Sequence, residues 1–146
     1  MQKVYDYENN TFRFKRKNDV YYDLNLRGNI TIIDGFSGNG KTVLFDDIIM
    51  AKNNTENIVG TDMSNITPIN SSDTEIEDKK VLYIIDRADK ILNNNLCDKI
   101  CSCNYARFLI FARGSFPLGV SPNHIGTFVR NDNCITIEYD FNESWW

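Results

Sequence analysis

The chain is thin in the residues on which several chemistries depend. It has one histidine, four cysteines and three prolines in 146 residues. The histidine, His124, follows Pro122-Asn123 in a turn-rich stretch with no visible partner. A histidine so placed is more often a polar surface group than a catalyst, and both readings stay open. Cys97, Cys101, Cys103 and Cys134 do not fall into the paired C-x-x-C knuckles of structural zinc sites, so they are expected to be incidental or buried thiols. Basic residues are not in excess: 16 Lys and Arg face 20 Asp and Glu, a net charge of −4. That balance argues against non-specific binding to nucleic acid or to a membrane surface, and leaves a local basic patch open. No stretch of 18 apolar residues occurs, and Met1 to Asp6 lacks the apolar core of a secretory leader. The expectation is a cytoplasmic protein without membrane insertion, its thiols reduced. No repeat and no linker divides the sequence, so residues 1–146 are expected to form one compact domain, large enough to bury roughly two-thirds of its unfolded surface.

What is present reads as alternating strands and helices. Val4–Tyr7, Thr11–Lys15 and Val20–Leu24 are rich in β-branched and aromatic residues, and are separated by Glu8-Asn9-Asn10 and Lys17-Asn18-Asp19. Ile30-Thr31-Ile32-Ile33-Asp34 is almost continuously apolar, as are Val81–Asp86 and Phe108–Ala112, the pattern of parallel strands covered on both faces. Helices are expected over Lys41 to about Lys52 and Ala88 to about Cys101, the second weakened by Asn93-Asn94-Asn95. Residues 57–63 suggest a strand, and 64–80 a polar surface loop containing Pro68. Residues 125–130 and 134–141 suggest paired strands around Asn131-Asp132-Asn133. The fold class expected is α/β, with a mainly parallel core sheet and antiparallel strands added at the two ends of the chain.

Gly35-Phe36-Ser37-Gly38-Asn39-Gly40-Lys41-Thr42 fits G-x-x-x-x-G-K-[ST] without a gap, after an expected buried strand and at the start of an expected helix. Glycines let successive backbone N–H groups turn toward phosphate oxygens, and the helix N-terminus adds unpaired donors and partial positive charge. Lys41 can reach the β- and γ-phosphates, and the Thr42 hydroxyl can take a place on magnesium. The segment resembles the Walker A element of P-loop NTPases. Its G-x-x-G-x-G-K-T form is similar to that of AAA-type ATPases, ATP-binding cassette proteins and small P-loop kinases. The resemblance covers roughly residues 20–115 and implies a three-layer P-loop core that binds ATP and magnesium. Val81–Asp86, about 45 residues after Lys41, resembles the Walker B strand, which makes Asp86 the implied second magnesium ligand.

The chain departs from that family next to Asp86. Many of these ATPases follow the Walker B aspartate with a glutamate that activates water, and here the residue is Arg87. Asp89, one helical turn beyond Asp86, is a candidate base or a solvated first-turn carboxylate. Arg113, closing the Phe108–Ala112 strand, is in the position of a sensor of the γ-phosphate or is a surface arginine, with Ser115 a weaker candidate. Tyr21 or Tyr22 is a candidate for stacking on adenine, beside the ordinary packing role of strand tyrosines. No L-S-G-G-Q signature is present, which excludes a complete cassette. The resemblance implies a magnesium-dependent ATPase or ATP-driven switch that works as an oligomer or with a protein partner. Two further readings stand: a small P-loop kinase, suggested by Asp86-Arg87 but without an arginine-rich lid downstream, and a non-catalytic nucleotide-binding module. Trp145 and Trp146 either pack back or offer a docking patch.

Overall fold

The structure is a computed structural model and describes residues 2–16, 19–35, 40–53, 61–113, 118–120 and 122–140. Phe36, Ser37, Gly38 and Asn39, Ser115, and the terminal Trp145 and Trp146 lie outside the described residues.

The N-terminal quarter forms β1 (Gln2–Lys3), β2 (Tyr5–Asp6), β3 (Thr11–Lys15) and β4 (Tyr21–Asn25). Phe12, Tyr22 and Leu24 alternate inward with polar neighbours outward, as a half-buried pleat requires. Next come β5 (Ile30–Ile33) and α1 (Lys41–Asn53), then β6 (Thr61–Asp62), β7 (Ile66–Ile69) and β8 (Leu82–Ile85). Two short helices, α2 (Ala88–Ile91) and α3 (Asn94–Ser102), lead to β9 (Arg107–Phe111). A 3-10 turn at Pro122–His124 precedes the hairpin of β10 (Ile125–Asn131) and β11 (Cys134–Tyr139). Among the described residues no helix is long and apolar enough to cross a membrane.

Nine strands form one mixed sheet in the order β2-β3-β4-β11-β10-β5-β9-β8-β7. The run β10-β5-β9-β8-β7 is parallel, as is β11-β4, while β2-β3, β3-β4 and β10-β11 are antiparallel. At the two ends of this sheet, β1 leads into β2 and β6 leads into β7. These two leaders pair with each other, Gln2 with Thr61 and Lys3 with Asp62, and the Val4 N–H donates to the Asp62 carbonyl at 3.0 Å. The Asn65 side-chain amide adds a bond to the Tyr5 carbonyl at 2.8 Å. The sheet therefore curls into a nearly closed, barrel-like wall.

This corrects the expected fold class. The chain is mostly β with few helices, and is not a three-layer α/β P-loop core on a mainly parallel sheet. The apolar runs at 30–34, 81–86 and 108–112 do make adjacent parallel strands. The C-terminal hairpin, however, enters the sheet between β5 and β4 instead of flanking it, and through β11-β4 it ties the N-terminal strands to the parallel run. Burial can be read from each strand's own pattern, but the partner of a strand lies far along the chain and leaves no local mark.

Curling gives α1 an interior to fill. Leu44, Phe45 and Ile48 pack among Phe12, Leu24, Ile33, Leu82, Leu109 and Phe111. On the other face of the parallel strands, Leu96, Cys97 and Ile100 of α3 cover Ile32, Ile85, Phe108 and Ile110. Strand β8 is thus buried at all four residues. Two local differences from expectation have plain causes. The helix expected over 88–101 breaks at Leu92, where Asn93 turns extended and its side chain accepts the Leu96 N–H at 2.8 Å, an N-cap in place of a mid-helix residue. The loop expected over 64–80 contains β7, an edge strand, where Pro68 can sit because one side of the strand needs no ladder donor.

Ile48 is fully buried between α1 and the curled sheet. Ile48→Ala is expected to lower unfolding free energy by about 2–5 kcal/mol, read as a reduced urea midpoint with an unchanged slope.

Candidate functional site

Register decides which residues meet. In the parallel run Ile33 is level with Phe111, and Ile110 with Ile85. The chain positions that follow, Gly35 after β5, Ala112-Arg113 after β9 and Asp86 after β8, therefore come side by side at the C-terminal ends of three neighbouring strands. The chain leaving β5 turns to one face of the sheet and forms α1, and the chain leaving β8 turns to the other and forms α2 and α3. A crevice between diverging connections at the carboxyl ends of parallel strands is where open α/β sheets bind ligands. A cavity of about 810 Å³ opens there.

Gly40 ends the glycine-rich segment at φ +87°, a backbone conformation that L side chains rarely adopt. Its carbonyl accepts the first helical bond, from the Leu44 N–H at 3.0 Å, and also the Tyr22 hydroxyl at 3.2 Å. A Cβ at Gly40 would lie 3.2 Å from that hydroxyl. Lys41, 6% exposed, donates its amine to the carbonyls of Gly35 and Ala112, the latter at 3.2 Å. Burial lowers the Lys41 pKa, Arg113 adds to the lowering, and Asp34, Asp86 and Asp89 act against it. Asp86 is 7% exposed. Burial raises its pKa, opposed by the neighbouring backbone N–H and charge of Arg87 and by the hydroxyl of Thr42. Arg87 holds a left-handed backbone, φ 53° and ψ 50°, at the start of α2. Strain of that kind in a non-glycine residue is concentrated at functional sites.

Of the residues singled out in sequence, the cavity brings together Tyr22, Gly40, Lys41, Thr42, Asp86, Asp89 and Arg113. Gly35 is in contact through its carbonyl with Lys41. Tyr22 is fully buried with its ring edge-on to Phe128 at 5.8 Å, so it packs and props the Gly40 carbonyl, with no free face to offer a base. His124 lies at the far end of β5, its Nδ1 3.1 Å from the Ile30 carbonyl, away from the cavity. The four cysteines are free thiols, and no metal-holding cluster of His, Cys, Asp and Glu occurs among the described residues.

Four cavity cations escaped the sequence reading: Arg16, Arg87, Lys90 and Arg130. Arg87 enters the sequence reading as the replacement for a glutamate and in the Asp86-Arg87 pairing, not as a cavity cation. Arg16 and Arg130 come from opposite ends of the chain, and no spacing rule could have joined them. With Lys41 and Arg113 they make six cations against two carboxylates, Asp86 and Asp89, in a chain whose net charge is −4. A cavity of that sign in an acidic protein is a site for an anion.

Charged Asp86 is a cost to the empty fold. Its native pKa is raised, so the native state binds a proton more tightly than the unfolded chain does. Stability from this group is greatest below its unfolded pKa, near 4, and falls as pH rises through the native value. Asp86→Asn is therefore expected to stabilise the ligand-free protein at pH 7 by on the order of 1 kcal/mol, and to lose that advantage on acidification. Thermal melts of both proteins between pH 4 and pH 7 check it; an equal difference at both ends would refute the assignment.

No protein-family model, curated protein or solved structure matches this chain.

Proposed function

We propose that the cavity binds the triphosphate of a nucleotide, ATP with magnesium, and that the protein is a magnesium-dependent ATPase or ATP-driven switch acting as an oligomer or with a protein partner in the cytoplasm. One observation carries the reading: Lys41 and Thr42 open α1 directly beyond a glycine-rich segment and line one cavity with Asp86, the residue that follows β8. Two oxygen donors of different origin, a hydroxyl and a buried carboxylate, suit a magnesium ion that fills its remaining positions with water and phosphate oxygens. When bound, magnesium neutralises phosphate charge and draws electron density from the β- and γ-phosphoryl oxygens.

The chain's own residues have separable tasks. The Lys41 amine, held by two carbonyls, is desolvated and placed within the cavity wall, where its charge acts with little screening. Arg113 and Arg87 flank the strand ends and can stabilise charge on a terminal phosphate. Asp89, on the first turn of α2, is the carboxylate available to orient water. The position after Asp86 supplies an arginine instead of a base, and this favours a site that a partner completes.

A kinase reading gains one observation: the arginines that the sequence did not show downstream are present around the cavity, contributed by β10 and by the segment after β3. A phosphorylated acceptor needs cations of its own, and Arg16 and Arg130 are available to it.

The test is calorimetric binding of ATP and GTP with magnesium, with phosphate release followed in the same sample. Wild type is expected to bind, Lys41→Ala to lose about 10- to 100-fold in affinity, and Thr42→Ala to lose the magnesium dependence. Phosphate release points to hydrolysis, and binding without release to a switch or an absent partner. Folded wild type that binds neither nucleotide would end the proposal.

A further inference from the structure

The hairpin of β10 and β11 does more than extend the sheet. It pairs with β5 only at Ile125–Ile32 and Gly126–Ile33, so Thr127 to Asn131 run on past the end of β5. Strand β4 joins this overhang through Cys134–Tyr21 and Ile135–Tyr22, and Arg16, whose backbone N–H donates to the Val20 carbonyl at 2.7 Å, is brought to the same rim. The result is a wall standing across the cavity from Asp86 and Arg113.

The wall's apolar residues are spent on packing. Tyr22, Phe128 and Ile135 are all less than a tenth exposed. What remains accessible is charge. Arg130 is exposed, its Nε donating to the Asp132 carbonyl at 2.8 Å, which leaves both terminal nitrogens for a ligand. Arg16 is ion-paired through Nε with Asp47 of α1, and a guanidinium has five N–H groups, so donors remain. Both guanidinium groups are anchored at Nε, the arrangement that presents their outer edges to a planar or tetrahedral anion.

Charge accounting says the same. A magnesium ion cancels about half the charge of a fully ionised triphosphate. Even with Asp47 set against Arg16, a magnesium-bound triphosphate leaves the six-cation cavity positive. Among the described residues no carboxylate forms an ion pair with Arg87, Lys90, Arg113 or Arg130.

We propose that Arg16 and Arg130 form a second anion subsite, which holds the phosphate of a small phosphorylated ligand beside the bound triphosphate. This rests on the triphosphate reading above and makes the cavity a two-ligand site. The acidic chain and the placement of both arginines on the lining of one cavity favour a small ligand over a nucleic-acid strand.

The experiment saturates the protein with magnesium and a non-hydrolysable ATP analogue, then titrates inorganic phosphate by calorimetry. Loaded wild type is expected to bind phosphate saturably. Arg130→Glu is expected to weaken that binding at least about tenfold while changing analogue affinity less than about threefold, and Arg130→Lys to restore part of it. Phosphate that does not bind loaded wild type saturably, or that binds Arg130→Glu equally well, overturns the subsite. Displacement of phosphate by a short oligothymidylate, with the same dependence on Arg130, would assign the wall to nucleic acid and overturn the small-ligand proposal. Failure of the triphosphate reading is recognised separately, because the analogue itself would then not bind wild type.

Discussion

The placement of α1 governs the rest of the molecule. Three residues on one side of that helix, Leu44, Phe45 and Ile48, fill the interior of a sheet that curls almost into a barrel. Each such side chain contributes roughly 1.5–3 kcal/mol when fully buried, and their spacing of one to four residues allows only one rotation of the helix. Once that rotation is fixed, Lys41 and Thr42 must emerge where β5, β8 and β9 end. Gly35 and Gly40, the buried carboxylate of Asp86 and the arginine after β9 are brought to one place by packing that has no chemistry of its own.

The site works against the stability that positions it. Lys41 and Asp86 are both nearly inaccessible, and burial shifts the pKa of each toward its neutral form. Neither forms a direct ion pair among the described residues, and the Lys41 amine donates to carbonyls instead. A bound anion and a cation would supply the partners that the empty fold leaves out. Such discord between local preference and global fold is expected where a protein is built to bind.

Much of the site was readable because it is local in the chain. Gly35 to Thr42 and the strand ending at Asp86 carry their meaning in adjacent residues. The three apolar runs were readable as parallel strands because burial on both faces removes the polar alternation. What escaped was everything decided by partners: the insertion of the C-terminal hairpin beside β5, the strand at Ile66–Ile69 hidden by Pro68, and the arrival of Arg16 and Arg130 at one wall. A proline weighs heavily in a sequence window and little at a sheet edge. The expected three layers failed for a related reason, since the sequence shows how many strands are covered but not that the outer ones bend round to meet.

The meeting of β1 with β6 has a consequence for the protein's behaviour among other proteins. An open sheet presents unpaired N–H and C=O groups along its edges, which invite pairing with another chain. Here β2 and β7 would be those edges, and each is short, with Pro68 in one of them. Because their leading residues bind each other, two self-adhesive edges are turned to face inward on a common seam. The seam is made of a few bonds at Gln2, Lys3, Val4 and Tyr5, so the shielding of both sheet edges from other chains hangs on four consecutive residues.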